Sequence, residues 1–217
     1  MRNSKIILGL FSIGLIFYGC EQSKEVNQEE KKFGDKKVQE VVDELGLVYV
    51  EEGAKEIITY DEVIAAQEAW CKALVEIGRL KEEGGDFKAY AEQVLTDAYN
   101  YDYGKVFFKP TLTHGDQTFR NTKAGALAYF VGGDSNFPND KGFALNPWVN
   151  ARFENTGGNK QGIQIYGSVA ITMGNVWVMD KEGNEVMVDK TWVFKKGEDG
   201  KLRIIVHKSS LPYNPAN

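Results

Sequence analysis

Beyond Pro147 the chain becomes a succession of β-branched and aromatic runs: "PWVNARFEN", "GIQIYGSVAITM", "NVWVMD", "EVMVDKTWVFKK" and "KLRIIVHKSS". The turn signals "TGGN", "GN", "KEGN" and "GEDG" separate them. Turns this short join antiparallel neighbours, since a parallel connection needs a crossover of about a dozen residues or more. The second half is therefore predicted to be a curved antiparallel sheet, and a sheet with an apolar face must be covered.

The first half supplies the cover. "TYDE" offers a capping-box start from Thr59 to Glu62. Val63, Ala66, Trp70, Ala73, Leu74, Ile77 and Leu80 then recur at spacings of three and four, which predicts an amphipathic helix ended by Gly84-Gly85. A second helix is read in "DFKAYAEQVLTDAY", with Phe87, Tyr90, Ala91, Val94, Leu95 and Ala98 on one side. A shorter third lies in "TKAGALAYFVGG", capped by Thr122 and stopped by Gly132-Gly133. A short strand is placed around Val106 to Phe108, followed by a loop through Pro110 to Gly115. Helices first and sheet afterwards make an α+β domain with its pocket between the layers.

The chain has 217 residues and is 42% hydrophobic, enough for one core, so a single domain over 38–217 is expected behind a leader. Within that span "KVQEVVDELG" reads as a short helix and "LVYVEE" as a short strand. The opening "MRNSKIILGLFSIGLIFYGC" has a basic start, an apolar run from Ile6 to Tyr18, and Gly19 before Cys20. Residues 1–19 read as an export signal. The placement of Cys20 resembles the bacterial lipoprotein signal, which implies lipidation of Cys20 and a cell-envelope location facing the periplasm or exterior. An ordinary signal peptide or an uncleaved anchor is the alternative, although the run is short for a bilayer span of about 20 residues. Residues 20–37, polar and charged, read as a tether. Cys71, within a helical pattern, is most simply a small buried apolar residue.

Charge and ligand counts then exclude chemistries. With 26 basic against 31 acidic residues the net charge is −5, and a nucleic-acid partner, which needs a basic face, is not expected. The chain holds two histidines, His114 and His207, and two cysteines, so no three-histidine, cysteine-rich or HExxH-type zinc site can be built. No metal or cofactor is expected; an all-oxygen site for a hard cation is the alternative, although the sequence shows no spaced acidic loop of the calcium type. "GGDSNFPNDKG" lacks both the P-loop spacing and a dinucleotide fingerprint.

The last strand is unusual in its ending. "KLRIIV" is followed by "HKSS" and the breaker Pro212. Strict alternation would put Arg203, Ile205, His207 and Ser209 on one face and Leu202, Ile204, Val206 and Lys208 on the other. His207 and Ser209 are then about 7 Å apart by strand rise, too far for a direct nucleophile–base hydrogen bond.

The segments "KVFFKPTL", "QTFR", "GALAYFVGG", "FALNPWVNARFEN", "VDKTWVFKK" and "DGKLRIIVHKSSLPY" are similar to the family containing the iota-class carbonic anhydrases. That family belongs to the nuclear transport factor two-like superfamily and is related to the association domain of calcium/calmodulin-dependent kinase II. The resemblance runs from Val63 to Tyr213 and implies a cone-like, cystatin-like α+β barrel. It implies a metal-free pocket in which Thr111 of "KPTL", Tyr129 of "ALAYF", and His207 and Ser209 of "HKSS" are catalytic. Where the family ending has a second histidine, this chain has Lys208, which alternation turns away from the pocket. Taken singly, Tyr129 could be core, Thr111 a turn residue and Ser209 a strand cap.

Two functions are open at this point. One is a lyase that hydrates carbon dioxide to bicarbonate, with the three hydroxyls orienting water and substrate. His207, whose ordinary pKa is about 6.5, would then accept or relay the proton. The other is a non-catalytic module of the same fold that binds another small ligand or serves assembly. In either case a homodimer is expected, because strand segments such as Val176–Val178 and Trp192–Phe194 carry apolar or aromatic residues on both faces.

Overall fold

The computed structural model describes residues 57–158 and 160–215, which lie within a compact unit spanning Lys55–Asn217. The signal segment, Cys20, the tether, and the short helix and strand expected before Ile57 lie outside the described residues.

The domain opens with helix α1 (Tyr60–Glu82). Thr59 caps it: its hydroxyl accepts from the Glu62 N–H at 3.2 Å, and the Glu62 carboxylate accepts from the Thr59 N–H at 2.8 Å. This reciprocal pair satisfies backbone donors that a helix start leaves open. The face carrying Val63, Gln67, Trp70, Cys71, Leu74 and Ile77 is buried. Helix α2 (Phe87–Ala98) buries Ala91 and Leu95 against α1, and helix α3 (Lys123–Val131) starts on Thr122 as predicted. It stops at Gly132, whose φ of 62° suits a residue without a side chain.

The six strands are β1 (Phe107–Lys109), β2 (Asn150–Asn155), β3 (Ile163–Tyr166), β4 (Val169–Met179), β5 (Glu185–Lys196) and β6 (Leu202–Ser210). Their order is β1-β6-β5-β4-β2, with β3 also paired to β4. The sheet curls without closing. Every pairing is antiparallel except β1 with β6, which sets Phe108 beside His207. That parallel pairing is possible because nearly the whole sheet intervenes in sequence between the two strands.

Two local expectations are corrected. "GN" is not a turn: Gly174 and Asn175 lie inside the continuous strand β4, and the chain reverses instead at Gly167, between β3 and β4. Glycine is required at 174 for closeness, since a Cβ there would collide with the Glu154 carbonyl oxygen of β2. Strict alternation along β6 also fails. Val193 pairs Val206 but Phe194 pairs Ile204, so Ile205 is the extra residue of a β-bulge. Ile204 therefore joins His207 and Ser209 among the fully buried residues, and Ile205 does not. Arg203 is buried separately, under the Tyr103 ring and paired with Asp199.

Candidate active site

The β1–β6 pairing builds the site. Lys109 stands beside Lys208, so the next residues, Pro110 and Thr111, run alongside the end of β6. There Thr111 Oγ1 and Ser209 Oγ lie 2.6 Å apart, both buried. A hydroxyl has one proton, and the shared bond consumes one of the two. The pair is left with one O–H proton and free lone pairs to offer a third group.

Helix α3 brings up Tyr129, which stacks on Phe143 and meets the edge of Phe108. Its hydroxyl is buried near Thr111 and the Leu112 backbone with no aligned hydrogen bond to either. Burial pushes the phenol up to about 12, against the pull of those neighbouring donors, so it stays protonated at neutral pH. A buried O–H without a partner costs about 1–3 kcal/mol. A ligand or water that accepts from it removes that cost.

His207 shares the inward face of β6 with Ser209, but its ring nitrogens are turned elsewhere. Nδ1 lies 2.8 Å from the Tyr99 hydroxyl and Nε2 lies 2.8 Å from Lys190 Nζ. The imidazole is packed by Phe108, stacked at 4.4 Å between centroids, and by Trp70 and Trp192 edge-on. At 1% exposure, desolvation first and the neighbouring lysine second push its pKa well below the ordinary imidazole value. The expected titration of His207 near its usual pKa is therefore corrected: the ring is neutral at physiological pH. Lys208 is exposed, as alternation required, and its ammonium donates to Ser210.

The structure thus joins Thr111 and Ser209 directly, sets Tyr129 beside them, and holds His207 on the same strand face in a second hydrogen-bonded group. Sequence reading missed the partners in that group. Tyr99, just past α2, is fixed because the Asn100 N–H donates to the Ile204 carbonyl of β6 at 3.1 Å. Its hydroxyl accepts from the Trp70 indole N–H at 3.0 Å. Lys190 of β5 is 4% exposed and stands opposite Ser209 in the β5–β6 register. The signal for it was in the sequence: Val188, Lys190, Trp192 and Phe194 alternate inward, and a lysine in such a stripe is out of place.

The loops around the hydroxyls are tied by a buried ion pair. The Arg120 guanidinium donates to both carboxylate oxygens of Asp140, at 3.0 and 3.1 Å, with the two side chains 2% and 4% exposed. Arg120 also donates to the Gln117 carbonyl and lies over the Phe137 ring. Elsewhere, a cleft of about 340 Å³ between α1, α2 and the β5–β6 edge is lined by Ala66, Tyr90, Val94, Leu202 and their neighbours. None of the four expected residues lines it. Among the described residues no group of three or more His, Cys, Asp and Glu side chains could hold a metal ion.

The chain is 54% identical over 158 residues to the metal-independent carbonic anhydrase of Nostoc sp., covering 72% of this chain and 75% of that one. A crystal structure of the iota-carbonic anhydrase from a cyanobacterium, complexed with bicarbonate, superposes with a TM-score of 0.70 at 50% identity, covering 78% of this chain and all of that one. An NTF2-like family protein from Streptomyces avermitilis is 14% identical at TM-score 0.44, over 71% of this chain and 96% of the other. The family model for metal-independent carbonic anhydrases matches residues 61–211, all but the first residue of the helices and sheet described above, and the chain belongs to that family.

Proposed function

We propose that the protein interconverts carbon dioxide and bicarbonate at the cluster of Thr111, Tyr129 and Ser209. The observation that carries the reading is the set of hydroxyl protons left over there. The Thr111–Ser209 pair has one O–H to spare, and Tyr129 has another, buried and without a partner among the described residues. Bicarbonate presents three oxygens that accept hydrogen bonds, and its negative charge develops as water adds to carbon. Fixed donors in a dry site stabilise such charge strongly, because they need no reorganisation during the reaction. The cyanobacterial relative crystallised with bicarbonate supports the same ligand.

A zinc ion would lower the pKa of bound water from 15.7 to about 7. In this reading the work falls to orientation: the hydroxyls hold water and carbon dioxide together, which replaces a bimolecular encounter by a positioned one. His207, neutral and fixed by its two partners, packs beside the cluster without titrating. Stopped-flow hydration of carbon dioxide by the soluble body is the test. A rate above that of buffer, unchanged by chelator, is expected; no rate with the folded protein would leave a ligand-binding module.

The leader supports export and anchoring through a lipid on Cys20, at a membrane facing the periplasm or exterior. A Cys20→Ser variant should leave the membrane fraction; equal solubility of the unaltered protein would refute the anchor. A homodimer is supported by the outward apolar residues of the sheet, Ile171 and Met173 of β4.

A further inference from the structure

Four side chains, from α1, the residue that follows α2, β6 and β5, form one buried chain of hydrogen bonds: Trp70 to Tyr99, Tyr99 to His207, and His207 to Lys190. Its direction follows from the inventory of protons. The indole N–H can only donate, so the Tyr99 oxygen accepts from Trp70. The phenol proton then has one aligned acceptor, His207 Nδ1. An imidazole that accepts at Nδ1 and is neutral carries its proton on Nε2, and that proton must be donated. The atom facing it is Lys190 Nζ, which can accept only as a neutral amine.

In the resting site the opposite assignment is the costlier one by count. A Lys190 ammonium would donate to Nε2, forcing the ring proton to Nδ1 and from there onto the Tyr99 oxygen. That oxygen would accept twice, and its own proton would be buried without an acceptor. Among the described residues no carboxylate pairs with Lys190 to stabilise its charge. The groups with which it interacts electrostatically are Cys71 of α1 and His207 of β6, neither of them an anion at neutral pH. Its ammonium would have the Trp70 ring, 4.9 Å away, as its remaining electrostatic neighbour.

We propose that Lys190 is a positioning and proton-accepting residue of this site: as a neutral amine it fixes His207 in the Nε2–H tautomer, and it takes up the proton that hydration of carbon dioxide releases. The second half rests on the carbonic anhydrase reading; the first does not. Lys190 and Ser209 occupy one rung of the β5–β6 ladder, both buried, so the two side chains leave the sheet as neighbours on its inner face. In the forward step the water oxygen forms a bond to carbon, one water O–H bond breaks, and the proton ends on Lys190 Nζ. The ammonium so formed offsets the charge of the new bicarbonate, leaving the site neutral overall. Protonation uses the lone pair that accepts from His207, so that bond breaks while Lys190 is an ammonium; buffer then removes the proton and the amine accepts from Nε2–H again. Burial lowers the lysine pKa to about 7, which places this exchange in the working range of a proton acceptor.

The test uses two readouts. Nitrogen-15 NMR of histidine-labelled protein has only two imidazoles to resolve, His114 and His207, and His114 is exposed and serves as an internal reference. The expected spectrum shows His207 as the Nε2–H tautomer at pH 8.5, with its shifts responding to an event centred near pH 7 that is absent in Lys190→Met. An Nδ1–H tautomer at pH 8.5 in the unaltered protein overturns the proposal, whatever the variant does. In parallel, the hydration rate should rise with pH through about 7. Lys190→Met should lose that inflection and about 10²-fold in kcat, with KM little changed and partial rescue by small amine buffers. An unchanged pH profile in a folded Lys190→Met overturns the proton-accepting role while leaving the function intact. Absence of hydration in the unaltered protein defeats the function and that role together, with the tautomer still decided by the spectrum.

Discussion

Thr111 and Ser209, distant in sequence, share a hydrogen bond of 2.6 Å because β1, three residues long, pairs in parallel with the end of β6. Each hydroxyl orients the other, so neither should be replaceable without disturbing its partner.

Ser209→Ala and Thr111→Val are therefore expected to be strongly coupled. Each single change should lower kcat/KM by about 10²-fold, the scale of one lost oxyanion donor. The double change should cost little more than either single one. Additive losses in a double-mutant cycle would show that the two hydroxyls act independently.

Tyr129→Phe removes an O–H that has no hydrogen-bond partner among the described residues. Urea unfolding should show stability unchanged or raised by about 1 kcal/mol, while bicarbonate affinity falls. Loss of stability would mean that the phenol is held by the fold.

The buried bases set the pH dependence of stability. Lys190 has a folded pKa lowered to about 7 from 10.5, so the unfolded chain binds an extra proton between those values. Stability contributed by this group consequently rises with pH across that window and is at its minimum below pH 7. His207, held well below 6.5, adds a further loss as pH falls below that value. Lys190→Met should raise the stability at pH 7 by an amount on the order of a few kcal/mol and flatten the rise above it. Thermal unfolding between pH 5 and 10 would check this; a variant whose curve parallels the unaltered protein would contradict it.

Asp140→Asn leaves the Arg120 charge buried without its counter-ion. A loss of about 3–5 kcal/mol is expected, with activity falling as the loops around Thr111 and Tyr129 loosen. Replacing both partners with apolar residues should recover much of the stability in urea unfolding.

A dimer should be visible by sedimentation at micromolar concentration, and Met173→Glu, on the outward face where the residue is 58% exposed, should weaken it. A strict monomer would remove the sheet face from consideration.

The helices were legible because their ends are local chemistry: Thr59 with Glu62, and Thr122 with Gly132, sit within one or two turns of what they cap. The α+β order and the inward pairing of His207 with Ser209 were legible from periodicity. Gly174 was not, since the reason for a glycine there is the backbone of β2, remote in sequence. Tyr99 and Lys190 escaped for a related reason. Each looks ordinary in its own element, and only the fold shows that both end on the same imidazole. Thr111, Tyr129, His207 and Ser209 came from the resemblance in the terminal strand and the segments that pair with it, not from periodicity or spacing.

The bulge at Ile205 makes strand length a constraint distinct from strand composition. It shifts the phase of β6 by one residue, so that Ile204 on one side and His207 with Ser209 on the other all reach the interior. Deleting Ile205 would leave Val206 alone between Ile204 and His207, so plain alternation would keep Ile204, His207 and Ser209 on one face and the pairings with β5 on the two sides of the bulge would run on in one register. What such a deletion would remove is the local bend and extra twist of the strand, and with them the angle at which its polar end enters the interior. A replacement of Ile205 by another residue keeps that bend, so the two kinds of change separate the shape of β6 from the identity of its residues.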